Sequence, residues 1–255
     1  MVDKMEIAIN KNLVFDVWTE YARFRKFYNT TSPLTFSLPP RTTLCGLLGA
    51  IIGLDKTGND YLRYFTLDQA SIGVKIINPI KKTMIAQNLI HTKNAHGPGM
   101  NLITQRTQIN FEFLKSPKYR IYFSHSDNDL YLKLKRNLEE HKSFYTPVLG
   151  LSENIADFKF IGEFDVLEKK SKDIIQINSA IPLSQITLNE GAEFDYEAEY
   201  FSERIPLELT TERIVTKYDD ILFERNGKPI SVALHTHYYQ INYDSHRKEN
   251  IVFLE

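Results

Sequence analysis

The fold of this chain is decided by a short stretch that runs from Pro39 to Gly53 and reads PPRTTLCGLLGAIIG. Proline is favoured in the first turn of a helix, where its missing N–H is not needed, so the two prolines predict a helix from Arg41 to about Leu54. Three glycines weaken such a helix, which indicates that close packing offsets their cost. The helix has an apolar stripe, Leu44, Leu48 and Ile51, and a small-residue stripe where another backbone could approach, Cys45, Gly49 and Gly53.

Outward from this helix, the pattern of apolar residues predicts strands on both sides and a second helix. The strands are expected near 13–18, 72–77, 109–113, 119–123 and 158–167. Ser126 or Asp127 can cap the second helix, which has leucines on one face at 130, 134 and 138. The order strand, helix, strand, strand, helix, strand predicts an α+β fold with a ferredoxin-like (RRM-like) βαββαβ domain.

Two further segments organise the rest of the chain. A long excursion between strands, about residues 80–108, has a turn signal at Gly97–Gly99 and is predicted to be a protruding β-hairpin. The charged run Glu168–Asp173 predicts a boundary between a domain at 1–170 and a smaller β-rich domain at 171–255. In the second part, the alternation of Phe194–Tyr200 predicts a strand, and Asn226-Gly227 predicts a hairpin turn.

The charges are distributed unevenly, although the net charge is only −1. Neither 21–54 nor 69–111 contains a carboxylate, and together the two stretches carry nine Lys and Arg residues, which leaves the rest of the chain near −10. Aromatic and amide side chains are interleaved with these cations. Such polarity predicts one anion-binding side, although a basic stretch can also complement an acidic surface within the fold.

Several functional classes are disfavoured by the sequence. The single cysteine, Cys45, lies in an apolar segment and suits a reduced core thiol. The longest apolar stretch, Leu44–Leu54, is far shorter than the roughly 20 residues that cross a bilayer, so we expect a cytoplasmic protein without a membrane partner. ATP-binding and serine-hydrolase motifs are missing. His235 and His237 share a strand face, but no third ligand is evident, so we expect no metal or other cofactor.

Two parts of the sequence resemble a known family. The first comprises YARFR at Tyr21–Arg25, TTSPLTF at Thr30–Phe36 and the Pro39–Gly53 stretch, and the second is YTPVLGLSE at Tyr145–Glu153. They resemble the signatures of the Cas five family (Cas5) of CRISPR-associated proteins, in the RAMP superfamily. The detail is most similar to the type I-B branch, and the resemblance covers roughly the first 165 residues.

The resemblance implies a non-catalytic subunit that grips the 5′ handle of a CRISPR RNA in a Cascade complex acting in antiviral defence. It implies a hairpin thumb at about 80–108, and as partners a backbone subunit of the Cas seven family and the large Cascade subunit. Target DNA would be reached through the assembled complex, where base pairing with the guide carries specificity.

Candidate RNA-binding residues combine cations for phosphates, aromatic faces for bases and the N-terminus of the first helix. Each also has an ordinary structural or surface alternative, including helix capping at 41–43. The candidates are Tyr21, Arg23, Lys26 and Tyr28 in the first loop, Arg41 and Thr42 at the helix, and Lys81, Lys82, His91, Lys93, His96 and Arg106 in the hairpin.

The alternative function is a metal-independent endoribonuclease that processes repeat RNA, which one branch of the family performs. This chemistry needs a general base, a general acid and a cation near the 2′-hydroxyl. The residue types that could serve are Tyr28, His91, Lys93 and His96, or the pair His141-Lys142. None matches that branch's catalytic arrangement, so the expectation is a protein that is not an enzyme.

Overall fold

The chain is a mixed α+β protein made mostly of strands, which confirms the predicted class. The structure, a computed structural model, describes residues 11–27, 33–90, 106–187, 192–193, 195–244 and 247–255. The helices are α1 (Arg41–Ile52) and α2 (Asn128–Glu139), with 3₁₀ helices at Thr57–Phe65 and Leu183–Gln185. The strands are β1 (Lys11–Trp18), β2 (Tyr21–Ala22), β3 (Ala70–Ile76), β4 (Lys82–Ile90), β5 (Arg106–Lys115), β6 (Lys118–His125), β7 (Asp157–Lys169), β8 (Ile175–Ile177), β9 (Ile181–Pro182), β10 (Ala192–Glu193), β11 (Tyr200–Leu209), β12 (Val215–Glu224), β13 (Ile230–Val232), β14 (Tyr238–Asn242) and β15 (Lys248–Ile251).

The main sheet has six antiparallel strands in the order β15-β14-β7-β1-β6-β3. One face of β1, with Leu13, Phe15 and Val17, shares a core with the apolar stripes of α1 and α2. Helix α1 follows β1, and α2 follows β6, so both helices return across the same face of the sheet. No helix in the described part of the chain has the length and hydropathy to cross a membrane.

The first helix begins where the two prolines predict and ends two residues early. Gly53 terminates it in the left-handed region, with φ of 85°, and its N–H donates to the Gly49 carbonyl. The small-residue stripe meets aromatic rings instead of another backbone: the Tyr61 ring lies against Gly49, and the Phe144 ring lies directly over Gly53. A side chain at residue 53 would therefore overlap the Phe144 ring.

The second helix is capped by Asp127, one of the two predicted residues. Its carboxylate accepts hydrogen bonds from the N–H groups of Asp129 and Leu130. His125 stabilises the same turn through two hydrogen bonds. Its Nδ1 accepts a hydrogen bond from the Asp127 N–H, and its Nε2 donates one to the Tyr64 carbonyl. Burial lowers the pKa of His125, so the ring is neutral at pH 7 in this position.

The strands β4 and β5 form a separate antiparallel pair, in register from Lys82 opposite Leu114 to Ile90 opposite Arg106. Strand β2 extends this pair into a three-stranded sheet through Tyr21 and Ala22. The predicted turn at Gly97–Gly99 lies outside the described residues. The 80–108 excursion therefore begins and ends in paired, extended chain.

Two predictions in the C-terminal part are wrong. Residues 195–198 form a turn instead of a strand, in which the Asp195 carboxylate accepts from the Glu197 N–H; Phe194 lies outside the described residues. Asn226-Gly227 does turn the chain, with φ of 78° at Gly227, but it joins β12 and β13, which belong to different sheets. Strict alternation is therefore not sufficient for a strand when a local carboxylate offers the backbone a turn.

The boundary predicted at residue 170 stays a prediction. Strand β7 runs through its beginning to Lys169, and β14 and β15 from the C-terminal part extend the main sheet beside β7. Ile205 and Ile221 join the core under α1. Sequence-distant parts thus share both the sheet and the core.

A buried carboxylate links β15, an edge strand of the main sheet, to β3 and β6. Glu249 is only 5% exposed, and its oxygens accept hydrogen bonds from Lys75 Nζ at 2.7 Å, the Tyr122 hydroxyl at 2.6 Å and the Tyr243 hydroxyl at 2.7 Å. Burial by itself raises the pKa of Glu249, but the hydrogen bonds from Lys75 and Tyr122 outweigh it and lower the pKa to about 2. The ionised carboxylate therefore stabilises the fold.

We predict that Glu249→Gln lowers the free energy of unfolding at pH 7 by about 3 kcal/mol, because the pKa of Glu249 falls from 4.5 to about 2 on folding and each tenfold change in proton affinity corresponds to about 1.4 kcal/mol. Because the folded pKa lies below the unfolded value of 4.5, this stability is present above about pH 4.5 and is lost as the pH falls toward 2. Urea denaturation at pH 7 and along an acid series measures both effects. Glu197→Gln, at an exposed carboxylate, is the control and should resemble wild type. Parallel acid curves for wild type and Glu249→Gln would contradict the assignment.

Candidate nucleic-acid interface

A groove of about 670 Å³ lies along the outer face of α1. Its floor is the helix itself, and its walls come from the segment before it, the loop after α2, the residues that follow α1 and the turn between β11 and β12. We call this cavity the groove. It is lined by Arg23, Phe24, Arg25, Thr42, Thr43, Gly46, Leu47, Gly49, Ala50, Leu54, Asp55, Lys56, Tyr61, Tyr145, Val148, Gly150, Leu151, Leu209 and Arg213.

The groove carries an excess of positive charge. Four of its described lining residues are cations, Arg23, Arg25, Lys56 and Arg213, against one carboxylate, Asp55. That carboxylate is already engaged, since it accepts hydrogen bonds from both the N–H and the hydroxyl of Thr57, each at 2.9 Å. These bonds lower the pKa of Asp55, so it stays ionised but turned toward Thr57. An anionic ligand fits this surface better than a cationic one.

Arg23 is largely buried, with 6% of its surface exposed. Its guanidinium lies 4.3 Å from the centre of the Phe111 ring, a cation–π contact with β5. Burial lowers the pKa of Arg23 from its usual value, the charge of Arg25 lowers it further, and Glu153 opposes both effects. Two arginines held this close repel one another, and a bound anion would relieve that repulsion.

The wall opposite α1 depends on a close backbone contact. Gly150, with φ of 97°, packs so tightly on the chain before α1 that a Cβ there would come within 1.9 Å of the Arg23 carbonyl oxygen. The Arg23 N–H donates to the Leu149 carbonyl at 3.3 Å. Only glycine permits both this φ and this approach. The two sequence segments that carried the resemblance, 21–25 and 145–153, therefore touch each other at the groove.

The floor of the groove is open because α1 presents small residues outward. Thr42, Thr43, Gly46 and Ala50 are partly exposed, whereas Leu44 and Leu48 point into the core. A Cβ placed on Gly46 would meet no atom within 4 Å. A larger side chain at this position would therefore enter the groove without disturbing the helix.

The structure corrects the prediction for Arg41. Its side chain is 1% exposed and points inward, where Nη1 donates to the carbonyls of Phe65 and Leu207 and Nη2 donates to those of Thr66 and Ala70. A phosphate cannot reach this guanidinium. Its neighbour Thr42 does line the groove. Of the two residues predicted at the N-terminus of α1, only Thr42 therefore belongs to the groove.

Lys26 and Lys82 are also placed differently from the prediction. Lys26 Nζ lies 2.9 Å from Glu203 Oε1, and Lys82 Nζ lies 3.3 Å from Glu112 Oε2 and 3.8 Å from Glu203 Oε1. Lys82 also donates to the Thr35 carbonyl at 3.0 Å. The two lysines thus tie the base of the β4–β5 pair to β11, and their charges are largely compensated there.

The remaining candidates are spread over three places. Tyr21 packs edge-on against the Phe113 ring, with centroids 6.4 Å apart, near the base of the β4–β5 pair. Lys81 and Arg106 are exposed on that pair, away from the residues that line the groove. The other four predicted residues lie outside the described part of the chain: Tyr28, His91, Lys93 and His96.

Sequence reasoning missed part of the groove. Lys56 follows α1 and Arg213 lies in the turn before β12, and neither belongs to a carboxylate-free stretch. Arg25 belongs to the quoted YARFR motif and could have been selected from it. For Arg213 no local signal exists, because only the tertiary fold brings residue 213 next to α1.

The histidine pair considered for a metal is not assembled into a metal site. His237 Nδ1 lies 3.1 Å from Glu168 Oε1 at the surface. Across the residues that the structure describes, no three His, Cys, Asp or Glu side chains are grouped to hold an ion.

Comparison with known proteins identifies the family. A family model described as CRISPR-associated protein (Cas_Cas5) matches residues 12–219, which is most of the chain. The protein belongs to the Cas5 family of CRISPR-associated proteins. No curated protein matches the sequence.

Two solved structures are similar to this chain. A CRISPR protein from Archaeoglobus fulgidus is similar with a TM-score of 0.53 at 13% identity, over 95% of this chain and 99% of that one. A chain of a structure described as a CRISPR RNA-guided surveillance complex gives a TM-score of 0.48 at 11% identity, over 86% and 91% of the two chains. At such low identity, the Archaeoglobus likeness establishes the fold alone.

We predict that Arg41→Met lowers the free energy of unfolding by about 3 kcal/mol or more, because four buried carbonyls lose a charged donor. Thr42→Ala, one residue further along α1, should leave stability nearly unchanged. Urea denaturation of the two variants checks the difference. A stable Arg41→Met variant with a selective loss of RNA binding would instead restore Arg41 as a ligand residue.

Proposed function

We propose that this protein is a non-catalytic RNA-binding subunit of a type I CRISPR Cascade surveillance complex, in which it grips the 5′ handle of the CRISPR RNA. The observation that carries the proposal is the groove, where four cations face one engaged carboxylate in a chain of the Cas5 family. Single-stranded RNA is held by cations along its phosphates and by aromatic faces under its bases. The groove supplies both, with Tyr61 and Tyr145 among its lining residues.

The fold supports the same proposal. The strand order β7-β1-β6-β3, with helices after β1 and β6, is what a ferredoxin-like βαββαβ domain requires. The β4–β5 pair, with exposed Lys81 and Arg106, is proposed as the base and arms of a thumb that contacts the RNA beyond the groove.

The proposed partners are those expected of a subunit in such an assembly. They are a backbone subunit of the Cas seven family, the large Cascade subunit and, through the assembled complex, target DNA. One of the similar solved structures is described as a CRISPR RNA-guided surveillance complex, and this is the kind of assembly that we propose for this protein. The type I-B branch stays a prediction.

Gly46 allows a direct test of the groove. Gly46→Glu would place a carboxylate among the groove's cations, and we predict that RNA affinity falls by about tenfold or more, equivalent to roughly 1.4 kcal/mol. Gly46→Ala fills little space and should keep the affinity while stabilising α1 by up to about 1 kcal/mol. Gly46→Gln separates the effect of volume from that of charge. Fluorescence anisotropy with labelled repeat RNA measures the affinities. Equal affinities for the Glu and Ala variants would contradict a groove that binds phosphates.

The endoribonuclease alternative is favoured by one observation, the exposed His141 with its Nε2 3.1 Å from Asp157 Oδ1. A carboxylate in this position can orient an imidazole for proton transfer. Lys142, however, forms an ion pair with Glu140, with Nζ 2.8 Å from Oε2. The side chains of His141 and Lys142 therefore have different carboxylate partners and do not form one catalytic site.

We predict that purified protein incubated with its own repeat RNA in EDTA shifts the RNA on a native gel and leaves it intact on a denaturing gel. His141→Ala should behave like wild type in both assays. Discrete cleavage that disappears in His141→Ala would replace the scaffold function with a nuclease.

A further inference from the structure

Two adjacent aromatic rings are exposed where the groove meets the end of α1. Phe144 is 69% exposed and Tyr145 is 46% exposed, and their centroids lie 4.8 Å apart with the rings nearly perpendicular. Tyr145 lines the groove, and Phe144 continues the aromatic surface beyond it. Contiguous exposed apolar surface can mark a binding site.

The backbone under these rings is rigidly attached to α1. The Phe144 N–H donates to the Ile51 carbonyl at 3.2 Å, and the Tyr145 N–H donates to the Ala50 carbonyl at 3.0 Å. Asn137 donates a third hydrogen bond, at 2.7 Å, to the Ile51 carbonyl. The Phe144 ring also rests on Gly53, which leaves no room for a side chain. The two rings are therefore presented in a fixed position, and little conformational entropy is lost when they bind a ligand.

The charge of the surroundings favours nucleic acid over a protein as the ligand. The groove beside the rings is lined by four cations and one engaged carboxylate, and a Cβ placed on Gly46 in its floor would meet no atom within 4 Å. A protein partner would need acidic side chains to match the four cations that line the groove beside the apolar rings. A single strand instead supplies phosphates for the cations and a π-face for the rings.

We propose that Phe144 and Tyr145 form a stacking platform for an unpaired base of the bound RNA, so that the strand in the groove is single-stranded at this point. The inference rests on the proposed RNA-binding function and assigns to it two residues that the charge pattern of the sequence did not indicate. The rings contribute base stacking, while the cations contribute phosphate contacts. The two contributions therefore respond differently to salt and to removal of the bases.

The test uses the full chain with fluorescein-labelled oligoadenylate of about ten nucleotides, within the length that one such surface holds. An abasic oligomer of the same length retains the phosphates and lacks the bases. Tyr145→Leu and Phe144→Ala should each weaken oligoadenylate binding on the order of tenfold, as expected for loss of a base stack. Their binding to the abasic oligomer and the slope of affinity against salt should match wild type. Tyr145→Phe should retain the affinity.

Ile155→Ala is the matched control, because Ile155 is a 63% exposed apolar residue in the same loop that does not line the groove. Thermal melting verifies that each variant is folded, and Tyr145→Leu provides the test if Phe144→Ala destabilises α1.

Unchanged oligoadenylate affinity in a folded Tyr145→Leu variant, or an equal loss on the abasic oligomer, would overturn the platform while leaving RNA binding by the groove intact. Failure of the wild-type chain to bind either oligomer would overturn the proposed function together with the platform.

Discussion

The buried guanidinium of Arg41 is the interaction on which the position of α1 depends. It joins four carbonyls from three separate parts of the chain: the end of the Thr57–Phe65 helix, the start of β3 and the strand β11. Each of these carbonyls would otherwise be buried without a charged donor, and removing water from a guanidinium is tolerated only when its donors are satisfied. The four hydrogen bonds offset the cost of burying the guanidinium, and they fix the orientation of α1.

That orientation decides which residues form the groove. With Leu44 and Leu48 directed into the core, the opposite side of α1 can present only Thr42, Thr43, Gly46 and Ala50. The absence of large side chains leaves an open floor, while Gly150 allows the loop after α2 to approach the Arg23 backbone. The glycines that weaken the helix and the loop are therefore the residues that make a cavity possible. Stability lost at these positions is recovered by the Arg41 hydrogen bonds and by the core beneath the helix.

Local patterns were enough to predict the elements and insufficient to predict the site. Prolines, leucine spacing and the Asp127 cap act within a few residues, so α1, α2 and most of the main sheet could be located from the sequence. The partners of the cations are distant in sequence: Glu203 reaches Lys26, and Glu249 reaches Lys75. A carboxylate-free stretch therefore does not predict a carboxylate-free surface. The same limit applies to Arg213, which becomes a groove residue only when the β11–β12 turn packs beside α1.

Acidic residues from the C-terminal part of the chain thus divide the cations into two groups. Those at the base of the β4–β5 pair and beside β15 form ion pairs and act as structural links, whereas the lining of the groove holds four cations and one carboxylate, Asp55, which Thr57 engages. A protein with a net charge of −1 can in this way retain one concentrated positive surface. The groove has four cations, of which Arg23 is only 6% exposed, so it can contact at most about four phosphates. Non-specific binding at physiological salt is weak when so few contacts are made. In the proposed RNA complex, affinity for a particular RNA would come from contacts that salt does not screen, and the exposed rings of Phe144 and Tyr145 at the end of the groove have the chemistry for such contacts.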